Sequence, residues 1–152
     1  MTNEELKVKL AETFTTVAFD ESGQWLNMTV PAAEWLSVAS ALRRFEGSPF
    51  DYLFCLTCVD WKAKLTMVYH FESTATRDII VVKVDLDRNK PEIETISNIW
   101  RTAEFHEREV YELFGVNFLN HPDLRLLILP DGWEGRNPMR KDFEDPVNML
   151  RL

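Results

Sequence analysis

Residues 52–86, YLFCLTCVDWKAKLTMVYHFESTATRDIIVVKVDL, decide the fold. Three β-prone runs, 52–61, 65–72 and 77–86, are separated by connections of only a few residues. Such short links join antiparallel neighbours, because a parallel crossover needs a dozen residues or more. The first run is apolar almost throughout, as in a central strand covered on both faces. The second alternates more visibly, with Leu65, Met67, Tyr69 and Phe71 on one side and Thr66, Val68 and His70 on the other. The third centres on Ile79-Ile80-Val81-Val82. Upstream, residues 3–13 read as a helix whose Leu6 and Leu10 share a face. Residues 15–19 and 25–30 read as a hairpin around the turn Asp20-Glu21-Ser22-Gly23. Pro31 suits a first helical turn, and residues 32–46 follow as a second helix. Leu36, Ala39, Leu42 and Trp35 are its inward candidates, and Gly47 and Pro49 stop it.

Downstream, residues 97–114 read as the last helix, with Ser97 as N-cap, Gly115 as C-terminal stop and a break available near Thr102. Composition then shifts. Prolines recur at 122, 130, 138 and 146 without sustained periodicity, and only residues 124–129 suggest a short strand. The expected class is α+β: a mixed, largely antiparallel sheet flanked by helices, with a globular part over 1–115 and an extended C-terminal arm over 116–152. Trp133, Met139, Phe143 and Met149 are the arm's apolar anchors. The arm either wraps over its own domain or grips another subunit.

The chain has 152 residues, 25 acidic against 17 basic side chains and a net charge of −8. That balance disfavours a nucleic-acid binder, which needs clustered cations to neutralise phosphates. The N-terminus mixes charges with single apolar residues and does not read as a signal peptide. Apolar runs of about eight residues fall well short of the ~20 that span a bilayer. Two cysteines cannot build a disulfide scaffold or a four-thiolate metal site. Cys55 and Cys58 stand three apart in a strand, so their sulfurs point to opposite faces, unlike a CxxC that opens a helix. His70, His106 and His121 lack any HExxH spacing. Glycine-rich phosphate loops are absent, and Ser22, Ser40 and Ser48 have no triad signature.

One carboxylate stands out. At ~100° per residue, Trp100, Ala103, Val110, Tyr111 and Phe114 cluster on one arc of the last helix, and Glu107 projects into its middle. Arg108, Glu109 and Glu112 fall on the other side. A carboxylate in an apolar face must be protonated or meet a cation and hydrogen-bond donors. Arg101, Arg125, Arg140, Lys141 or an arginine of another chain are the candidate partners. A buried ion pair that locks the arm to the helix and a proton-handling carboxylate are the two readings.

The ordered string Glu107-Arg108-Glu109-Val110-Tyr111-Glu112-Leu113-Phe114-Gly115-Val116, then His121-Pro122-Asp123-Leu124-Arg125, Asp131-Gly132-Trp133-Glu134-Gly135 and Pro138-Met139-Arg140-Lys141-Asp142-Phe143, resembles the C-type subunit of NADH–quinone oxidoreductase. This is the thirty-kilodalton-subunit family of respiratory complex I. Leu56-Thr57-Cys58-Val59-Asp60-Trp61 resembles the same family's strand end. The likeness covers about the last hundred residues by motif and the first fifty by layout. Asn120 stands where the family usually has Gly, and Asn tolerates the left-handed backbone such a turn requires. Leu126 replaces a second arginine, which leaves more of any partner contact to Arg125.

The resemblance implies a non-catalytic subunit with no cofactor or metal of its own, in a proton-translocating complex that passes electrons from NADH through FMN and Fe–S clusters to quinone. Its implied partners are the quinone-site (D-type) subunit and the neighbouring Fe–S subunits (B-type and I-type). Its implied place is peripheral, on the cytoplasmic side of the inner membrane, with membrane contact only through the complex. The arm should be mobile when free and order on binding. Trp133, Met139 and Phe143 would anchor it apolarly, and Arg125, Arg140 and Lys141 would pair with the partner. A homologous subunit of a membrane-bound hydrogenase, or of another quinone dehydrogenase fed by a ferredoxin-type donor, carries the same signature.

Overall fold

A computed structural model of the chain describes residues 1–149. Helix α1 (Asn3–Thr13) is opened by a capping box in which the Thr2 hydroxyl accepts from the Glu5 amide and the Glu5 carboxylate accepts from the Thr2 amide. The hairpin forms as β1 (Ala18–Asp20) and β2 (Leu26–Thr29). A single 3-10 turn, Ala32–Glu34, then leads into α2 (Trp35–Arg43), shorter than the expected 32–46. Pro31 precedes the 3-10 turn in extended backbone. Trp35, Val38, Ala39 and Leu42 face inward, whereas Leu36 is exposed. Trp35, packed on Tyr69 and Phe71, takes the core position, and Leu36, one residue on, falls on the outer side.

Strands β3 (Tyr52–Asp60), β4 (Lys64–Glu72) and β5 (Ile79–Asp87) form the expected antiparallel meander. β2 joins β5 in parallel, giving the order β1-β2-β5-β4-β3. This reverses two expectations. β3 is an outer strand with alternating burial, and β4 is the covered one, buried continuously from Leu65 to Tyr69. The hydrophobic runs alone could not separate them. The deciding contact is the long-range pairing of β2 with β5, which places β4 inside the sheet. Trp35 packs on Tyr69 and Trp100 on Phe71, each with ring centroids 4.6 Å apart, so aromatic contacts tie the helical layer to β4.

A second, two-stranded sheet was not expected. β6 (Glu92–Glu94) pairs in parallel with β7 (Asn117–Leu119), on either side of α3 (Ala103–Phe114). α3 begins six residues later than Ser97, because residues 95–102 make turns and the Trp100 indole donates to the Phe50 carbonyl. Gly115 ends α3 as expected, at φ 78°, with its amide bonded to Tyr111. Val116 and Phe118 belong to the core, so the packed body runs on to Leu119, past the expected boundary at 115. Residues 124–129 form no strand.

Candidate functional site

The motif residues gather around α3 and bind three different segments. On the core side, the Glu107 carboxyl is fully buried. Its Oε1 accepts from the Ile96 amide at 2.9 Å, and its Oε2 lies 2.5 Å from the Thr95 hydroxyl and 3.6 Å from His121 Nε2. None of the expected arginines or lysines reaches it. The 95–97 turn and the His121 ring fill the space those long side chains would need. Burial pushes the Glu107 carboxyl up to about 7, against the lowering effect of its two donors.

The other side of α3 is not a solvent face: Arg108 is buried and Glu112 is 1% exposed. Arg108 Nε and Nη2 donate to the Arg125 and Leu126 carbonyls at 3.1 and 2.7 Å. The Glu112 carboxylate accepts from the Leu127, Ile128 and Leu129 amides at 2.8, 2.9 and 3.2 Å. A side-chain cation and anion, one helical turn apart, therefore replace the ladder a partner strand would supply to residues 125–129. The sequence holds a signal for this. Arg108 and Glu112 are four residues apart, and 124–129 is an apolar segment whose backbone polar groups must be satisfied somewhere.

A third attachment lies at the end of β3. Asp60, in a buried position, binds Arg88 through both oxygens at 3.0 and 2.9 Å and accepts from the Lys62 and Lys141 amides. Arg88 also reaches Asp142 at 3.1 Å. The Arg88 guanidinium holds the Asp60 carboxyl well below the usual carboxylate range. Nearby, the Met139 amide donates to the Leu113 carbonyl and Arg140 Nε to the Phe114 carbonyl at 2.6 Å. Asp60 and Arg88 lie outside the residues the motif singled out, although Asp60 sits in the Leu56–Trp61 strand end.

Of the two readings of the C-terminal arm, the contacts agree with a tail wrapped over its own domain, tied to it at 125–129 and at 139–142. Several of its apolar side chains nonetheless point outward. Leu127, Met139, Val147 and Met149 are exposed, Ile128 is 67% exposed, and Phe105 of α3 is exposed as well. Trp133 stands half-buried, with Arg136 over its ring at 4.0 Å and Phe143 at 6.4 Å. Arg125 pairs with Asp123, two residues away and exposed. Pro122 is exposed in the same turn, Leu124 packs against the core, and Asn120 takes φ 63° as expected. Tyr111 packs on the core edge, and Glu109 stands near Cys55.

Other chemistry is sparse. Burial raises both thiols, Cys58 to about 12, away from the reactive thiolate range. Among the described residues, no three His, Cys, Asp or Glu side chains are placed to hold a metal ion, and no helix is long and apolar enough to cross a membrane.

The family described as respiratory-chain NADH dehydrogenase, 30 Kd subunit, matches residues 28–147. The NADH-quinone oxidoreductase C/D subunit of Phocaeicola vulgatus is 46% identical over 113 residues, 73% of this chain and 22% of that protein. The C-type subunit of Chloroherpeton thalassium is 40% identical over 72% of this chain and 46% of its own length. Its counterpart in Moorella thermoacetica is 40% identical over 76% of this chain and 78% of its own. The chain therefore spans less than half of the first two relatives. Among solved structures, a chain of the membrane-bound sulfane sulfur reductase, an archaeal respiratory membrane complex, superposes with TM-score 0.81 at 27% identity, over 93% of this chain and 85% of that one. The trypsin-resistant fragment of Nqo5 shares the fold at TM-score 0.70 and 23% identity, over 81% of this chain and all of that fragment. With 120 consecutive residues inside the family match, among them the clamps around α3, the chain belongs to the 30 Kd subunit family of respiratory-chain NADH dehydrogenase.

Proposed function

We propose that the chain is a non-catalytic member of the peripheral arm of NADH–quinone oxidoreductase, docking on the quinone-site subunit. The observation that carries this reading is the outward display of Leu127, Ile128 and Met139 on a segment whose backbone is fixed by Arg108, Glu112 and Asp60. Buried charges are costly unless paired, and here they are used to hold apolar side chains in water. Such an exposed patch marks an interface. Relatives whose names join C and D carry the matching stretch within one longer polypeptide, which favours the D-type, quinone-site subunit as the neighbour. Contacts with the two Fe–S subunits, a cytoplasmic-side position on the inner membrane and the use of FMN, Fe–S clusters and quinone by the partners belong to the same reading.

The likeness to a chain of the sulfane sulfur reductase favours a second reading, the equivalent component of another respiratory membrane complex. Purification of the tagged full chain from native membranes, with mass spectrometry of the bound proteins, separates the two. The reading expects the quinone-site subunit together with a flavin-bearing NADH-input subunit. Recovery with sulfur- or hydrogen-handling proteins instead, or alone, refutes it. Truncation after Pro130 is expected to abolish co-purification with the quinone-site subunit.

A further inference from the structure

The buried Glu107 cluster has no task in the docking surface, yet it lies at the root of the segment that carries it. Each contact around the carboxyl can be assigned a proton. Asp123 N donates to His121 Nδ1 at 3.0 Å, so that nitrogen carries a lone pair. The proton is then on Nε2, which lies 2.9 Å from the Glu104 carbonyl and donates to it. The imidazole is thus neutral and already committed, and the 3.6 Å approach of Nε2 to Glu107 is not an ion pair. From β4, the buried Tyr69 hydroxyl is close enough to feel the Glu107 charge, and from α2 the Trp35 indole N–H turns to that hydroxyl, so neither brings a cation. On α3 itself, the Arg108 guanidinium is turned away to the Arg125 and Leu126 carbonyls. The 95–97 turn contributes hydroxyls and amides but no charge.

Without a cation, an ionised carboxyl in this position is uncompensated. The neutral acid resolves every contact. Oε2–H donates to Thr95 Oγ1, which also accepts from the Ser97 amide at 3.1 Å and donates to Ser97 Oγ at 2.9 Å, while Oε1 accepts from Ile96 N. We propose that the folded chain holds Glu107 as the neutral acid, so that the Glu107–Thr95–Ser97–His121 cluster is a pH-sensitive latch on the 120–123 turn. Loss of that proton to solvent leaves a buried carboxylate whose nearest additional donor is His121 Nε2–H. Turning that donor toward Glu107 releases the Glu104 carbonyl and strains the bond from Asp123 N.

The test uses the full chain and Glu107→Gln. In the wild type, the proton that the folded state holds and the unfolded state releases makes the unfolding constant rise about tenfold per pH unit between roughly 5 and 7. The isosteric amide lacks that component, so the difference between the two proteins carries the slope. A carboxyl-carbon NMR titration of the wild type reads Glu107 directly, whether or not the variant folds. Support is a Glu107 midpoint near neutrality, a neutral His121 with its proton on Nε2, and an Asp123 amide whose exchange rises more steeply with pH above that midpoint than its intrinsic rate does. A Glu107 carboxylate already ionised at pH 5.5, or a doubly protonated His121 at pH 7, overturns the proposal.

Discussion

Replacing Glu112 tests the clamp where it is most concentrated. In Glu112→Ala, the Leu127, Ile128 and Leu129 amides lose an acceptor that is 1% exposed. Hydrogen bonds to a charged group contribute roughly 1.5–3 kcal/mol each. Leu127 and Ile128 are themselves exposed, so their amides can recover water in part. The expected loss is therefore about 3–5 kcal/mol, not the full sum, and a domain of this size has only about 5–15 kcal/mol in total. Glu112→Gln keeps one acceptor oxygen but turns an NH2 toward the remaining donors, and should lose about half as much. Urea denaturation gives the stability change, and hydrogen exchange of residues 127–129 locates it. Arg108→Ala releases the other side of the same segment, so the double variant should lose less than the two single losses added. A stability change under about 1 kcal/mol with unchanged exchange at 127–129 would refute the reasoning.

Asp60→Asn should destabilise the chain and release 139–142, seen as faster exchange of the Lys141 amide; the stabilisation by Asp60 is present above its unfolded value of 3.8 and is lost as pH falls below it, so the gap between variant and wild type should narrow in acid. Gly115→Ala forces an L-residue into φ 78° and sets its Cβ 2.5 Å from Asn137 Nδ2, and should cost about 2 kcal/mol in thermal or urea melts. The double variant Leu127→Gln, Ile128→Gln adds no charge beside Glu112 and changes exposed side chains, so stability of the free chain should move by less than about 0.5 kcal/mol per site while co-purification with the quinone-site partner is lost.

The 52–86 meander and the C-terminal end of α3 were legible because they depend on local chemistry, the first on β-prone runs with short links and the second on a glycine at a left-handed backbone angle, whereas the start of α3, the length of α2 and the β6–β7 pair depend on tertiary contacts and were not. The place of β3 and β4 in the sheet was not, since it follows from β2 reaching β5, a contact between residues more than fifty apart. The helical arc of α3 correctly singled out Glu107 as buried but offered only long cations as partners, where a threonine hydroxyl and a main-chain amide suffice. It placed Arg108 and Glu112 on the other side without showing that this side is covered too. A wheel drawn for one apolar arc assumes a helix buried on one side, and α3 is covered on two.

The most direct measurement is hydrogen exchange across residues 125–143, first on the free chain and then with the quinone-site subunit added. The account predicts that the amides of 127–129 and of Met139 and Lys141 are already protected in the free chain, and that adding the partner extends protection around Ile128 without a global ordering step. Exchange across 125–143 at the rate of an unstructured peptide in the free chain, becoming slow only with the partner present, would contradict it.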